Sequence, residues 1–489
     1  MVDNRAMPNP DRLTGLDASF LALEDTGGHM HVGSCMLFEG RAPAYVDFVA
    51  QLESRLHLVP RYRQKLAFPP LAQARPVWID DPHFNPAYHV RHTALPEPAS
   101  LEQLRNLTGR VFAQRLDRTK PLWELWLVDH VQGDRFAMIS KTHHCLVDGV
   151  SGVDIATVLF DLEPAQPPPP EPPPAWFPRP EPTAAALVAD ALAERMATPL
   201  DAARAAGELV TNPERAVGQL GKAVAGLGAV VMAGLQGAPT SPYNMPIGPH
   251  RRFAWVDADL GHFRAIKTAL GGTVNDVVLS VVAGALRAHM QANGHDVSDV
   301  ELKAMVPMSV RLEAQRGALG NRVTTMYAPL PVHAGDPLER FRIVHEAMAG
   351  LKESGQAVGA ETLTQLAGFA PPTLLVQAAR LQSRQRLFNL TVTNVPGPQF
   401  PLFILGRRLL RIYPQVPLTR NTALGIAIMS YDGTIDFGLL ADFDAVPDLD
   451  DLAAALHDAI DELATAAGVA ASNGRVSGDA GERRFPVRR

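Results

Sequence analysis

The chain has 489 residues, 46% of them hydrophobic and 20% charged, a balance that can bury one or two sizeable cores. With 45 basic against 51 acidic residues the formal net charge is −6, so no basic face is expected and nucleic acid is excluded as a partner. Two cysteines, Cys35 and Cys145, form no disulfide framework and suit a reducing compartment; the opening residues lack an apolar h-region and no strongly apolar run has membrane-spanning length, so neither a Sec-type signal peptide nor a spanning helix is expected.

From about residue 15 to 162, short apolar runs alternate with amphipathic stretches, as in α/β domains. His29 and His31 have a spacing that could hold a metal on a strand, but no third ligand suggests itself and both read as structural. Residues 135–142 form an apolar run of strand length, and residues 150–162 have helical spacing, with Ile155, Val158, Leu159 and Leu162 on one stripe. Between them lies HHCLVDG, residues 143–149, which places His143 and His144 at a strand end, where a side chain is held rigidly yet can face a cleft.

An imidazole titrates near neutrality, so it can take a proton from an attacking hydroxyl or amine and hand it on. Neighbouring residues at a strand end point to opposite sides, so one of the two rings faces the substrate, and His144 is read as that base. Asp148 lies across a tight turn that Gly149 permits, and either pairs with an arginine or fixes the imidazole tautomer. Cys145 diverges from His144 and reads as a small buried side chain rather than a nucleophile. No second cluster with ligand spacing accompanies the histidines, so no metal is expected.

Residues 163–182 are proline-rich and read as an extended, semi-rigid linker. An Ala-rich helical region follows to residue 238. Its last part, residues 217–238, carries one charge, Lys222, and is either a helix packed across two domains or an interfacial segment. A second globular unit is expected over 251–467. Its predicted helices lie near 260–270, 274–293, 337–353 and 449–467, and its strand-like runs at 303–310, 323–330, 390–394, 423–431 and 434–441. The chain thus divides into 15–162, 163–250 and 251–467, with residues 468–489 as a polar, disordered tail.

The full HHxxxDG pattern in a strand–loop–helix setting resembles the CoA-dependent acyltransferase superfamily, which includes chloramphenicol acetyltransferase, carnitine acyltransferases and peptide-synthetase condensation domains. More narrowly, the chain resembles the bacterial wax ester synthase/acyl-CoA:diacylglycerol acyltransferase family. The opening stretch 16–40, PLWE at 121–124 and GGTVNDVVLSVVAGALR at 271–287 carry that likeness. So do PMSVR at 307–311, LGNRV at 319–323, NVPGP at 394–398 and MSYDGTIDFGLLAD at 429–442. Each is weak alone; their joint order over most of the chain is specific.

The resemblance implies an α/β fold of two chloramphenicol acetyltransferase-like domains, with an active-site tunnel between them and His144 midway along it. Acyl-CoA would be a substrate and no cofactor is needed; the acceptor would be diacylglycerol or a long-chain alcohol. With no signal peptide or spanning helix expected, the protein reads as cytoplasmic, or as peripherally bound on the inner membrane face or on lipid inclusions. Asp148 would pair with Arg311, while Asn275 or backbone N–H groups near Gly149 would donate to an oxyanion. Pro121, Leu122 and Trp123 either line an acyl channel or form a core turn. Two rivals differ in class. A condensation-type enzyme would need carrier-bound substrates, and no carrier or adenylation segment is present; a non-catalytic lipid-droplet protein would not need an intact HHxxxDG.

Overall fold

The structure is a computed structural model that describes residues 11–24, 27–70, 74–146, 158–164, 176–190, 192, 237–309, 323–353 and 387–470. Its first unit contains α1 (Gly15–Leu23), β1 (His31–Glu39), α2 (Tyr45–Arg55), β2 (Gln64–Ala67), β3 (Val77–Asp80) and α3 (Pro86–His89). It continues with β4 (Val90–Ala94), α4 (Leu101–Ala113), β5 (Trp123–Val131) and β6 (Arg135–His143). The second contains β7 (Arg251–Asp259), α5 (Leu260–Leu270), α6 (Val274–Ala292), β8 (Leu302–Ser309), β9 (Val323–Leu330) and α7 (Pro337–Glu353). After these come β10 (Leu390–Pro396), β11 (Phe403–Ile404), β12 (Arg407–Gln415), β13 (Leu424–Tyr431), β14 (Thr434–Asp442) and α8 (Leu449–Ala466).

Local chemistry accounts for many of these boundaries. Thr273 and Asp276 form a reciprocal capping box that starts α6, and Ser100 and Gln103 do the same for α4. The β13–β14 hairpin turns at Asp432-Gly433, both at positive φ, as a two-residue turn with right-handed strand twist requires. The helices at 260–270, 274–292, 337–353 and 449–466 fall on the periodic segments.

Among the described residues two six-stranded sheets form, ordered β11-β12-β1-β6-β5-β4 and β7-β14-β13-β10-β8-β9, with β2 and β3 as a separate pair. The first sheet is not built from the first unit alone. After β10 the chain crosses over, and β11 and β12 join the edge of the first sheet, with β12 antiparallel to β1. Gly397 sits at the crossover, where its N–H donates to Ser430 O at 2.9 Å and a Cβ would lie only 2.3 Å from that oxygen. The 251–467 segment therefore contributes strands to both sheets, an exchange absent from the sequence-based division.

The sheets meet through shared packing. Trp255 of β7 stacks on Tyr413 of β12, with centroids 4.3 Å apart. Gly438 of β14 passes so close to β12 that a Cβ would lie 1.9 Å from Pro414 O. Gly109 of α4 likewise abuts the Arg251 carbonyl, at 2.7 Å for a Cβ. One apolar cluster accordingly contains Cys35, Phe112 and Ile139 of the first unit with Phe253, Trp255 and Leu440 of the second.

The expected helix over 150–162 is corrected at its end. Residues 147–157 lie outside the described residues, but by Asp161 the chain is extended and bridged to Phe403, and Leu162 is exposed rather than on a buried stripe. The far side of the proline-rich segment is fastened to the first unit. The Arg179 backbone N–H donates to Asp80 at 2.9 Å, its guanidinium pairs with Asp11 and Asp80, and Arg63 lies over the Trp176 ring. Most of the 217–238 segment and nearly all of the 468–489 tail lie outside the described residues. Among those described, no single helix is long and apolar enough to cross a membrane; α5 and α6 pass only as a pair bent by 98°, and α6 is mostly buried.

Candidate active site

β6 brings the two histidines to the end of the first sheet, and the structure separates their environments. His143 is fully buried opposite His31 of β1. Its backbone N–H donates to Leu122 O at 2.9 Å, and its Nδ1 accepts from the Cys145 N–H at 3.1 Å. That bond leaves the ring proton on Nε2, which lies 3.9 Å from Glu24 Oε2. Burial first, then the charges of Arg118 and His144, push the His143 pKa down to about 3. It is a neutral, locked imidazole.

His144 is only half-buried. Its backbone N–H donates to Met30 O at 2.7 Å, which anchors the residue to the chain entering β1. Its Nδ1 is buried with no hydrogen-bond partner, and its ring packs on Phe20 of α1, with centroids 4.0 Å apart and planes 31° from parallel. Burial lowers its pKa, and its own backbone partly offsets this. The next residue is inert: Cys145 is fully buried and its thiol is held well above its usual pKa by burial and then by Asp17.

The frame behind this strand end is polar and closed. Lys141, fully buried two residues before His143, donates to Val111 O at 3.0 Å and Gln114 O at 3.1 Å, and lies 3.3 Å from Glu124. His29 Nε2 donates to Ala113 O at 3.1 Å. The C-terminal carbonyls of α4, which have no partners within the helix, are thus met by cationic and imidazole donors from the chain around β1 and β6. Burial, then Lys141, pushes His31 well below its usual pKa. At the end of α1 the Glu24 carboxylate, 2% exposed, accepts from Arg118 and from Arg115 at 3.3 Å, while Arg118 also donates to Leu21 O at 2.9 Å.

The other expected site residues fall in several places. Asp148, Gly149 and Arg311 lie outside the described residues. Asn275 is half-buried in the first turn of α6, and the cap there belongs to its neighbour: Asp276 accepts from the Thr273 N–H at 2.8 Å and from His345 at 2.9 Å. Of the two readings of Leu122 and Trp123, channel lining or core turn, their burial matches the core turn. Both are fully buried in the first unit's core, where Trp123 stacks on His89 at 4.5 Å and its Nε1 donates to Tyr62 O at 2.8 Å. The buried Pro121 opens the same turn, whose role is to place Leu122 O under His143.

Sequence reasoning missed Phe20, Glu24, Arg118 and Lys141. Only Lys141 left a signal, a lone charge inside an otherwise apolar strand. Among the described residues, no group of three or more His, Cys, Asp or Glu side chains could hold a metal ion.

The chain as a whole is similar to known proteins. Residues 13–278 match the family model for the wax ester synthase/diacylglycerol acyltransferase catalytic domain, and residues 319–464 that for the WS/DGAT C-terminal domain. A probable diacylglycerol O-acyltransferase of Mycobacterium tuberculosis, tgs1, is 31% identical over 466 residues, covering 93% of this chain and 96% of that protein. The structure of the wax ester synthase/diacylglycerol acyltransferase from Marinobacter aquaeolei VT8 superposes with a TM-score of 0.64 at 28% identity, covering 94% of this chain and 100% of that one. The first condensation domain of a calcium-dependent antibiotic synthetase shares the two-domain fold at a TM-score of 0.55 and 16% identity, over 93% of this chain and 95% of that one.

Proposed function

Because the chain belongs to the wax ester synthase/diacylglycerol acyltransferase family, we propose that it moves a long-chain acyl group from acyl-CoA to the hydroxyl of diacylglycerol or of a fatty alcohol, with His144 as general base. The observation that carries the residue assignment is the asymmetry of the pair. His143 is fully buried and its Nδ1 is occupied, whereas His144 is half-buried, its ring against Phe20 and its Nδ1 without a hydrogen-bond partner.

With Nδ1 of His144 facing the interior, Nε2 is the nitrogen that takes the acceptor's hydroxyl proton. The alkoxide oxygen then bonds to the thioester carbonyl carbon, and the tetrahedral oxyanion collapses with cleavage of the C–S bond. The imidazolium returns its proton to the departing CoA thiolate. A thioester is already activated, so the reaction needs neither a covalent enzyme intermediate nor a cofactor. Backbone N–H groups near Gly149 and the Asn275 side chain are the candidate oxyanion donors, and Asp148 paired with Arg311 would hold the loop. The acceptor resides in lipid and acyl-CoA is an amphiphile, so this reading puts the working location at the inner membrane face or the surface of a lipid inclusion, with the substrates meeting at His144 between the two domains.

The test is CoA-thiol release from palmitoyl-CoA, with products resolved by thin-layer chromatography, comparing hexadecanol with dipalmitoylglycerol. Wild-type ester formation that falls by about 10²–10⁴-fold in a folded His144→Ala establishes the base, and the better acceptor identifies the reaction. Full activity in His144→Ala would remove His144 from this role. Failure of the wild type with both acceptors would favour a carrier-dependent or non-catalytic protein.

A further inference from the structure

α1 carries more than the local packing needs. Its inward side holds Asp17 and Leu21, yet Leu16, Phe20 and Leu23, spaced i, i+4 and i+7, form a second apolar stripe, along which Leu16 is 46% exposed. The helix is pinned at both ends. Thr14 caps its start, accepting from the Asp17 N–H at 3.1 Å, and at its close the Glu24 cluster ties it to Arg115 and Arg118. Phe20 is therefore held rigidly where it meets the His144 ring at 4.0 Å, tilted 31°.

The charged and titratable groups around this contact are Asp17 and Glu24 from α1, Arg115 and Arg118 from beyond α4, and His143 and Cys145 from the strand end. Glu24 is already engaged by both arginines, and His143 is neutral. Among the described residues no carboxylate reaches Nδ1 of His144. A base so placed must still become a cation during each turnover, in a site where burial opposes that charge. Besides its own backbone, the group in contact with it that can favour a cation is the face of the Phe20 ring.

We infer that Phe20 is a positioning residue for the transfer reaction: its ring fixes the His144 imidazole and stabilises the positive charge that forms when His144 takes the hydroxyl proton. This rests on His144 being the base. The tilt is small enough for ring-to-ring packing, and the contact is made before substrate arrives, so no reorganisation is needed as the charge develops.

The test uses the full chain with Phe20→Tyr, Phe20→Met and Phe20→Leu, assayed with palmitoyl-CoA and hexadecanol, with thermal melts for each; the two aliphatic variants guard against one failing to fold. Phe20→Tyr is expected to keep kcat, whereas Phe20→Met and Phe20→Leu lose about 3- to 30-fold in kcat with KM unchanged. The acid limb of the kcat profile should move to lower pH in the aliphatic variants, because the imidazolium has lost support. Looser packing that admitted water would move it upward. An upward or absent shift, a loss confined to KM, or wild-type kcat in both aliphatic variants would overturn the inference. If His144→Ala is inactive while Phe20→Met is unchanged, the base stands and only the role of Phe20 fails; if His144→Ala keeps full activity, the base assignment itself fails.

Discussion

Acidification should weaken this protein through its buried histidines, while one buried carboxylate works the other way: burial pushes the Asp436 pKa up to about 7, so its protonation favours the folded state as pH falls. His89 is held neutral with a pKa of about 4 and His143 with one of about 3, both chiefly by burial. In the unfolded chain each returns to about 6.5. Between those values only the unfolded chain takes up the proton. The stability is thus complete above about pH 6.5 and is lost as pH falls toward the folded-state value. Going from about pH 7 to about pH 5 costs about 1.9 kcal/mol for each histidine, or about 3.7 kcal/mol for the two. That is a large share of a typical folding free energy of about 5–15 kcal/mol. His31, pushed well below its usual range by burial and Lys141, adds in the same direction. Urea unfolding at a series of pH values, followed by tryptophan fluorescence, measures the slope; Trp123, stacked on His89, is a local reporter. The His89→Phe variant should reduce the slope by its own share. A change in unfolding free energy from about pH 7 to about pH 5 that is the same in His89→Phe as in the wild type would refute the reasoning.

Four further outcomes follow from packing. Trp123→Ala should cost about 3–5 kcal/mol in urea unfolding, and lower kcat without raising KM for acyl-CoA, because Trp123 is a core anchor. Lys141→Met takes the cation from the Val111 and Gln114 carbonyls and leaves the Glu124 carboxylate with Arg91 as its remaining cation, and should destabilise by about 3–5 kcal/mol on the same assay. Gly438→Ala forces a methyl against Pro414 O and should cost about 1–3 kcal/mol, read as a lowered melting temperature, by prising the sheets apart. Cys145→Ala should keep its turnover within about threefold; a loss of orders of magnitude would instead mark the thiol as a nucleophile.

Much of the molecule was legible in the chain because it is local. Helical periodicity marked 260–270 and 274–293, apolar runs marked β8, β9, β13 and β14, and HHxxxDG at a strand end drew attention to His144. β12 was not legible. Its sequence, RRLLRIYPQ, mixes charges with a proline and alternates weakly, and only its pairing with β1, some 380 residues earlier in the chain, makes it a strand of the first sheet. The same is true of the site. Phe20 and Glu24 reach the histidines across more than a hundred residues of chain, and Trp123 became a core residue because Tyr62 and His89 close around it. The amino-acid sequence by itself determined the periods of the elements and the residue types at the strand end, since both depend on neighbours along the chain. Which histidine is locked, which keeps a face open, and what lies against it were decided by tertiary structure alone. Burial and hydrogen-bond competition act between side chains that share space rather than sequence.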